Sequence, residues 1–143
     1  MRARLGLRYR FDEHWQANAA WTVDAFGRGG GNFGEFSLQR EQRWSPDTTW
    51  AAGAAISAAG DRYLQTWFGV TPEQSLRSGY ALYTPNAGLR DMSIYANLRS
   101  QLAPRWVLLG GVASTRLIGS AADSPLVRRP SGVSINGGLA YSF

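Results

Sequence analysis

The sequence contains no cysteine and no lysine, and it has a single histidine, His14. Without cysteine the chain forms neither disulfides nor thiolate metal sites. Its 15 cationic residues are therefore all arginine, and they exceed the 10 acidic residues to give a net charge of +5. The arginines are scattered, and no helical or aromatic nucleic-acid motif accompanies them. We therefore expect no nucleic-acid partner.

A run of about eighteen apolar residues, the length that predicts a membrane-spanning helix, is also missing. The 143 residues instead show a repeated alternation of apolar and polar residues, which is the period of a β-strand with two different faces. Spanning strands of outer-membrane barrels are only half apolar in this way. The pattern therefore favours an antiparallel transmembrane β-barrel of outer-membrane type.

The alternation is clearest at the carboxyl end, where Val133, Ile135, Leu139, Tyr141 and Phe143 share one parity. A last strand that ends in phenylalanine resembles the assembly signal of bacterial outer-membrane barrels. We interpret Leu139, Tyr141 and Phe143 as that signal, which implies recognition by the barrel-assembly machinery. The alternative is an edge strand of a soluble β-sandwich.

Six further segments are predicted to be strands: residues 3–11, 15–26, 35–44, 49–70, 88–101 and 106–117, of which the last is apolar on both parities. In the third segment Arg40 and Gln42 interrupt the apolar parity. The fourth contains Ala59-Gly60-Asp61, which could form a hairpin, but the parity is the same on both sides of it. We therefore predict one long strand over 49–70 that projects beyond the bilayer, because a crossing needs only about 9–11 residues.

The connections between these segments alternate between tight turns and longer loops. The turns cover 12–14, 45–48 and 103–105, and the loops cover 27–34, 71–87 and 118–132. Outer-membrane barrels have short periplasmic turns and long outer loops. Thr71-Pro72-Glu73-Gln74 predicts a short helix, because it combines an N-cap, a first-turn proline and a capping box. We expect loop 71–87 to carry the functional surface, unless Tyr80, Leu82 and Tyr83 fold it into a self-packed lid.

Two groups of side chains have positions that a barrel would explain. Aromatic residues flank the tight turns, as in a ring at the boundary of water and lipid; they are Phe11, Trp15, Trp44, Trp50 and Trp106. The alternative is that they close a hydrophobic core. The predicted lumen charges on the polar parity are Arg4, Arg8, Arg10, Asp24, Glu35, Glu41, Asp91 and Arg99. We expect them to pair across the interior rather than to line an ion-selective pore, because unpaired confined charges are costly.

No combination of residues predicts catalysis, a metal site or a cofactor. His14 lies in a turn beside Asp12 and Glu13, and no predicted strand brings a serine to it as a nucleophilic triad requires. The acidic residues are too dispersed for a metal cluster. The letters of a dinucleotide-binding loop occur in Gly29–Gly34, but a strand follows where a helix is needed, so we interpret this segment as a flexible loop.

Two stretches carry a more specific likeness. The first includes Phe68, Gly69, Val70, Thr71, Pro72, Ser78 and Gly79, and the second includes Asp123, Ser124 and Pro125. With Tyr63-Leu-Gln-Thr-Trp before the first block, they resemble the MipA/OmpV family of outer-membrane proteins. The likeness covers essentially the whole chain as the C-terminal portion of a member. We therefore expect residues 1–143 to form a single barrel domain that lacks the signal peptide and the N-terminal strands.

The resemblance implies a non-enzymatic scaffold in the bacterial outer membrane that links a lytic murein transglycosylase to a penicillin-binding protein. The implied partners are outer-membrane lipid, the barrel-assembly machinery and these two enzymes. One alternative is a narrow channel or uptake protein for small polar solutes. Another is a soluble barrel that carries a hydrophobic ligand on an inward apolar face.

The number of strands also bears on closure. The first and last of seven antiparallel strands run parallel, so these strands cannot close directly in antiparallel fashion. We expect an odd number of upstream strands, or else eight strands if residues 59–61 form a hairpin.

Overall fold

The computed structural model describes residues 2–24 and 30–142. Within these ranges the chain forms seven strands and three short helices. They are β1 (Arg2–Arg10), β2 (Trp15–Asp24), β3 (Asn32–Ser45), β4 (Thr48–Ala59), α1 (Asp61–Phe68), α2 (Pro72–Ser78), β5 (Gly88–Ala103), β6 (Trp106–Leu117), α3 (Gly119–Ala122) and β7 (Ser131–Tyr141).

The seven described strands form one antiparallel sheet, in which each strand pairs with its neighbours in the sequence. This is the arrangement of an open, partial β-barrel with short helices, so the predicted fold class is confirmed. The eight-stranded alternative is wrong for the described residues. β1 and β7 are the two edges of the sheet.

The helices are confined to the connections of the sheet. Among the described residues, every helix is too short or too polar to reach across a membrane.

The register keeps the apolar residues of successive strands in phase. Leu7 pairs with Ala19, Ala19 with Phe36, Phe36 with Ile56, and Ile56 with Met92. Side chains of directly paired residues lie on the same side of a sheet. These residues therefore lie on one side, which we call the apolar face, and the alternate residues form the polar face.

The apolar face is largely exposed. The side chains of Leu5, Ile94 and Ile135, which lie on three different strands, are 80%, 66% and 82% exposed. Isolated apolar side chains on a surface need no explanation, but a continuous apolar face indicates a surface that something else covers.

The buried apolar cluster lies instead at the end of the sheet where the long connections emerge. Ala59, Leu64 and Ala121 are buried there, and Phe33 and Leu117 pack against them. Phe33 and Ala59 are paired on the polar face, so α1 and α3 cover the end of that face. We call residues 60–87 and 118–130 the cap, the end that carries it the long-connection end, and the opposite end the short-turn end.

The predicted long strand over 49–70 is wrong. β4 ends at Ala59, and α1 occupies residues 61–68. The alternation of tight turns and long connections nevertheless holds, because the whole of 60–87 is a single helical connection between β4 and β5. The apolar residues keep the same parity on both sides of residues 59–61, although the strand ends there.

The apolar residues of α1 fit both the two-residue period of a strand and the four-residue spacing of a helix. The helix forms because it buries more apolar surface. Tyr63 and Trp67, like Leu64 and Phe68, are four residues apart and therefore neighbours on a helix surface. The helix brings Leu64 to a fully buried position against Ala59. An extended strand that projected past the sheet would leave the same side chain in water.

The predicted helix in loop 71–87 is confirmed as α2. The Thr71 hydroxyl accepts from the Gln74 amide at 3.3 Å, and the Gln74 side chain accepts from the Thr71 amide at 2.9 Å. Gly79 ends the helix with φ of 74°, a left-handed conformation that glycine adopts without strain.

The amino-terminal glycine-rich connection ends earlier in the sequence than predicted. β3 begins at Asn32, inside the predicted loop 27–34, and residues 25–29 lie outside the described residues. Gly31 has φ of 62°, and a Cβ there would collide with the backbone of Tyr63. Glycine at this position therefore permits the close approach of β3 and α1.

Replacing Leu64 with alanine tests the cap. We expect Leu64→Ala to lower the free energy of local opening of α1 by about 2–4 kcal/mol, because it leaves a cavity in a packed cluster. Leu76→Ala is the matched control, since that side chain is 89% exposed. Hydrogen exchange of the 60–87 amides in the folded protein measures both, and equal protection in the two variants would contradict the assignment of the buried cluster.

Candidate functional site

The eight predicted lumen charges all lie on the polar face. The register pairs Arg4 with Thr22, Glu35 with Ser57, and Ser57 in turn with Asp91. The parity of each strand then places the remaining predicted lumen charges on this side, namely Arg8, Arg10, Asp24, Glu41 and Arg99. Their role in lining an enclosed interior stays a prediction.

Charge pairing on the polar face is sparse, and neutral hydrogen bonds accompany it. Arg4 and Glu35 form an ion pair at 3.0 Å, with side chains 60% and 39% exposed. At such exposure a pair contributes at most about 1 kcal/mol. The Arg8 guanidinium donates to the Asn18 side chain at 3.1 Å rather than to a carboxylate.

A second ion pair involves a residue that the sequence analysis missed. Arg90 donates to the Asp91 carboxylate and, at 3.0 Å, to the Tyr63 hydroxyl. Its guanidinium carbon also lies 5.4 Å from the centroid of the Phe33 ring and 5.6 Å from that of the Tyr63 ring. The side chains of Arg90 and Asp91 are 17% and 15% exposed, so this pair is far less solvated than Arg4 and Glu35.

A β-bulge explains why Arg90 reaches the cap. Asp91 pairs with Ser57 but Leu89 pairs with Ala58, so Arg90 is an extra residue in β5. Such a residue is turned away from the regular alternation. The sequence does carry a signal for it, because the apolar parity is odd at Leu89 and even from Met92 onward.

The two signature segments are in direct contact, although the residues that touch, Phe68 and Ser124, are 56 positions apart in the sequence. The Ser124 hydroxyl donates to the Phe68 carbonyl at 2.6 Å and accepts from the Leu126 amide at 3.2 Å. Val70 pairs with Tyr83 through two backbone hydrogen bonds of 2.9 and 3.1 Å. Ser124 and Val70 are both buried. These signature residues hold the cap together.

Tyr83 joins loop 71–87 to α3. Its hydroxyl donates to the Ser120 carbonyl at 2.7 Å. Burial raises the pKa of Tyr83, and the charge of Asp123 adds to this effect, so the phenol remains a neutral donor. Tyr80 and Leu82 are exposed and contribute less to the lid.

An open polar cavity of about 760 Å³ lies between the ends of β2 and β3 and α1. Asp24, Asp61, Arg62, Gln65 and Thr66 line it, so it presents both signs of charge. The Asp24 carboxylate accepts from the Gly30 amide at 2.9 Å. Residues 2–24 and 30–142 contain no group of three or more histidine or acidic side chains that could hold a metal ion.

The predicted interface aromatics lie at the short-turn end. Phe11 and Trp44 are 60% and 78% exposed, and the Trp106 ring is 5.0 Å from that of Tyr141. Trp15 and Trp50 occupy the strand ends beside the first two turns. Their position at a water–lipid boundary stays a prediction.

The predicted assembly signal lies partly outside the described residues. Leu139 and Tyr141 pair with Leu108 and Trp106 on the apolar face of β7. Phe143 is not among the described residues.

The first tight turn is built around a carboxylate. Asp12 accepts from the backbone amides of His14 and Trp15, both at 2.7 Å. The bond from Trp15 and then that from His14 lower the pKa of Asp12. His14 therefore lies in a turn that these two hydrogen bonds hold, at the position that the sequence predicts.

The family model described as MltA-interacting protein MipA matches residues 1–143. No curated protein and no solved structure matches the chain.

Removing the Ser124 hydroxyl tests the contact between the signature segments. We expect Ser124→Ala to lower the local stability of the cap by about 1–3 kcal/mol, because it leaves the Phe68 carbonyl without this donor. Ser134→Ala, at an exposed serine of β7, is the control. Limited proteolysis within 60–87 reports the opening, and an unchanged cleavage rate in Ser124→Ala would show that the hydrogen bond does not hold the cap.

Proposed function

The chain belongs to the MipA family, and we propose from this membership that it acts as a scaffold for murein enzymes in the outer membrane of a Gram-negative bacterium. The family's description names an interaction with MltA, which is a lytic transglycosylase. The scaffold would hold this hydrolysing enzyme beside a murein-synthesising penicillin-binding protein. The match over residues 1–143 is the observation that carries the proposal.

The apolar face supports a location in a bilayer. Strands that cross a membrane satisfy their backbone groups by pairing with one another, and they present apolar side chains to lipid. The exposed residues Leu5, Ile94 and Ile135 form such a surface on three strands. β1 and β7 run in the same direction, so we propose that an odd number of further strands completes the barrel.

The orientation of the barrel decides where enzymes could bind. Outer-membrane barrels direct their short turns to the periplasm, where murein lies. Apart from Asp12, whose carboxylate accepts hydrogen bonds within its own turn, the exposed charges on the tight turns are those of Glu13, Asp47 and Arg105. A partner that is recruited from the periplasm would contact these turns rather than the cap.

Capture of a lytic transglycosylase tests the scaffold. We expect the folded protein to retain the enzyme, and the combined change Glu13→Gln, Asp47→Asn and Arg105→Gln to weaken binding about tenfold or more, since interface charges set encounter and register. The matched control is Asp61→Asn, Asp123→Asn and Arg77→Gln, which removes the same charges from the cap. Surface plasmon resonance on the protein in detergent micelles measures both.

The outcome separates three cases. Loss only in the turn variant supports the scaffold and its orientation. Loss only in the cap variant would reverse the orientation. Absence of binding by the unaltered protein would contradict the scaffold.

The polar cavity favours a second candidate function, which is passage of small polar solutes. Its lining of Asp24, Asp61 and Arg62 lies at the long-connection end of the sheet, between β2 and α1. The cap covers part of the same end through Leu64.

Planar-bilayer recording tells the two functions apart. We expect a scaffold with a closed cap to remain silent, and Leu64→Ala to stay silent as well if the polar face is filled. Steady single-channel currents from the unaltered protein, reduced or made selective by Asp24→Asn, would support the channel instead.

A further inference from the structure

The apolar face contains a groove of about 440 Å³ that runs from β3 to β6. Apolar side chains form most of its lining, namely Phe36, Leu38, Ile56, Met92 and Ile94. One cationic side chain, Arg116, closes the groove at the long-connection end. The register pairs Arg116 with Met92 on one side and with Ser131 on the other, so it lies on the apolar face.

Arg116 has no acidic partner within the described residues, where the ion pairs are those of Arg4 and Arg90. Arg128 and Arg129 are also exposed and precede β7 at this end. They are held beside β6, because the Leu117 amide donates to the Pro130 carbonyl at 2.7 Å. Arg116 therefore lines the end of an apolar groove, and two further arginines without an ion-pair partner lie in the segment that is joined to β6 beside it.

The other arginine on the apolar face of the described strands differs in its surroundings. Arg40 pairs with Trp15 and Ala52 near the short-turn end. It lies close enough to Asp12 for its charge to act on that carboxylate. Neither Arg40 nor Arg116 forms an ion pair among the described residues, but Arg40 has the Asp12 carboxylate nearby, whereas no acidic side chain lines the groove beside Arg116.

We propose that this groove binds a membrane lipid with a phosphate headgroup, whose acyl chain lies along Ile56 and Met92 and whose phosphate is held by Arg116, Arg128 and Arg129. The inference rests on the proposed membrane location. Burial of the acyl chain is favourable because it covers apolar surface. The planar guanidinium matches phosphate oxygens with two parallel hydrogen bonds.

Other occupants fit less well. The groove lies over the interior strands β3 to β6, whose backbone groups pair within the sheet, so a peptide would find few backbone partners. A free phosphate ion would leave Phe36 and Ile94 uncovered. A second copy of the chain, docked symmetrically on this groove, would bring two Arg116 side chains together and be opposed by their repulsion.

The test compares the binding of two lipids, phosphatidic acid and phosphatidylcholine, to the full chain. The lipids have identical acyl chains, and the protein is in zwitterionic detergent micelles. We expect the unaltered protein to bind phosphatidic acid more tightly, and Arg116→Gln to reduce this preference about fivefold. Arg40→Gln is the matched control and should leave the preference unchanged. Native mass spectrometry counts the bound lipid, and added inorganic phosphate at the lipid's concentration should displace little of it.

Several results would overturn the proposal. They are an unaltered protein without preference, an equal loss in Arg40→Gln, or complete displacement by inorganic phosphate. If Arg116→Gln does not fold, Arg116→Lys keeps the charge but loses the planar fork, and it should retain only part of the preference. Flotation with phosphatidylcholine vesicles tests the membrane location separately from the lipid site. A chain that does not float contradicts the membrane location as well, whereas one that floats without headgroup preference contradicts only the lipid site.

Discussion

The rest of the structure depends on the agreement of parity between neighbouring strands. A slip of one residue in any pairing would move every apolar side chain of that strand to the opposite face. The register shifts near Arg43 and near Gln101 lie beside tight turns, and the third, at Ser57, lies beside the cap. The middle of the sheet is therefore regular, and the apolar face continues across it. A surface of this kind needs a cover that the described residues do not supply, and lipid is the cover that we propose for it.

The cap depends on the one place where the alternation is broken. The bulge in β5 frees Arg90 from the regular pattern, and its guanidinium then lies against the rings of Phe33 and Tyr63, which belong to the sheet and to α1. The helix is fixed on the other side by Leu64. From there the Phe68 carbonyl meets Ser124, so the loop before β7 is joined to the same unit. An irregularity of a single residue thus couples the sheet to two distant connections.

The sequence alone predicts the secondary structure of a segment where only one periodicity of apolar residues is present. The predicted bounds of 88–101 and 106–117 lie close to the observed ones, because clear turn or loop signals flank both segments. The prediction of a strand is wrong for α1, because the apolar residues there fit the period of a strand as well as that of a helix. Only the buried position of Leu64 decides between the two. The contact between Phe68 and Ser124 could not be derived from local pattern, because it joins segments that only the folded sheet brings together. The family likeness did mark both segments, without indicating that they touch.

The two faces and the two ends of the sheet differ in how far the protein's own side chains cover them. On the polar face, Tyr95 donates to Gln39 across β4 at 3.1 Å, and a Cβ at Gly53 would collide with that hydroxyl. Glycine in β4 therefore makes room for a side-chain bridge that spans three strands. Bridges of this type fill the polar side with neutral hydrogen bonds, while the cap covers its long-connection end. A polar side organised in this way favours the proposed scaffold over the channel, and it leaves the turns and the apolar face as the surfaces that the proposed partners would contact.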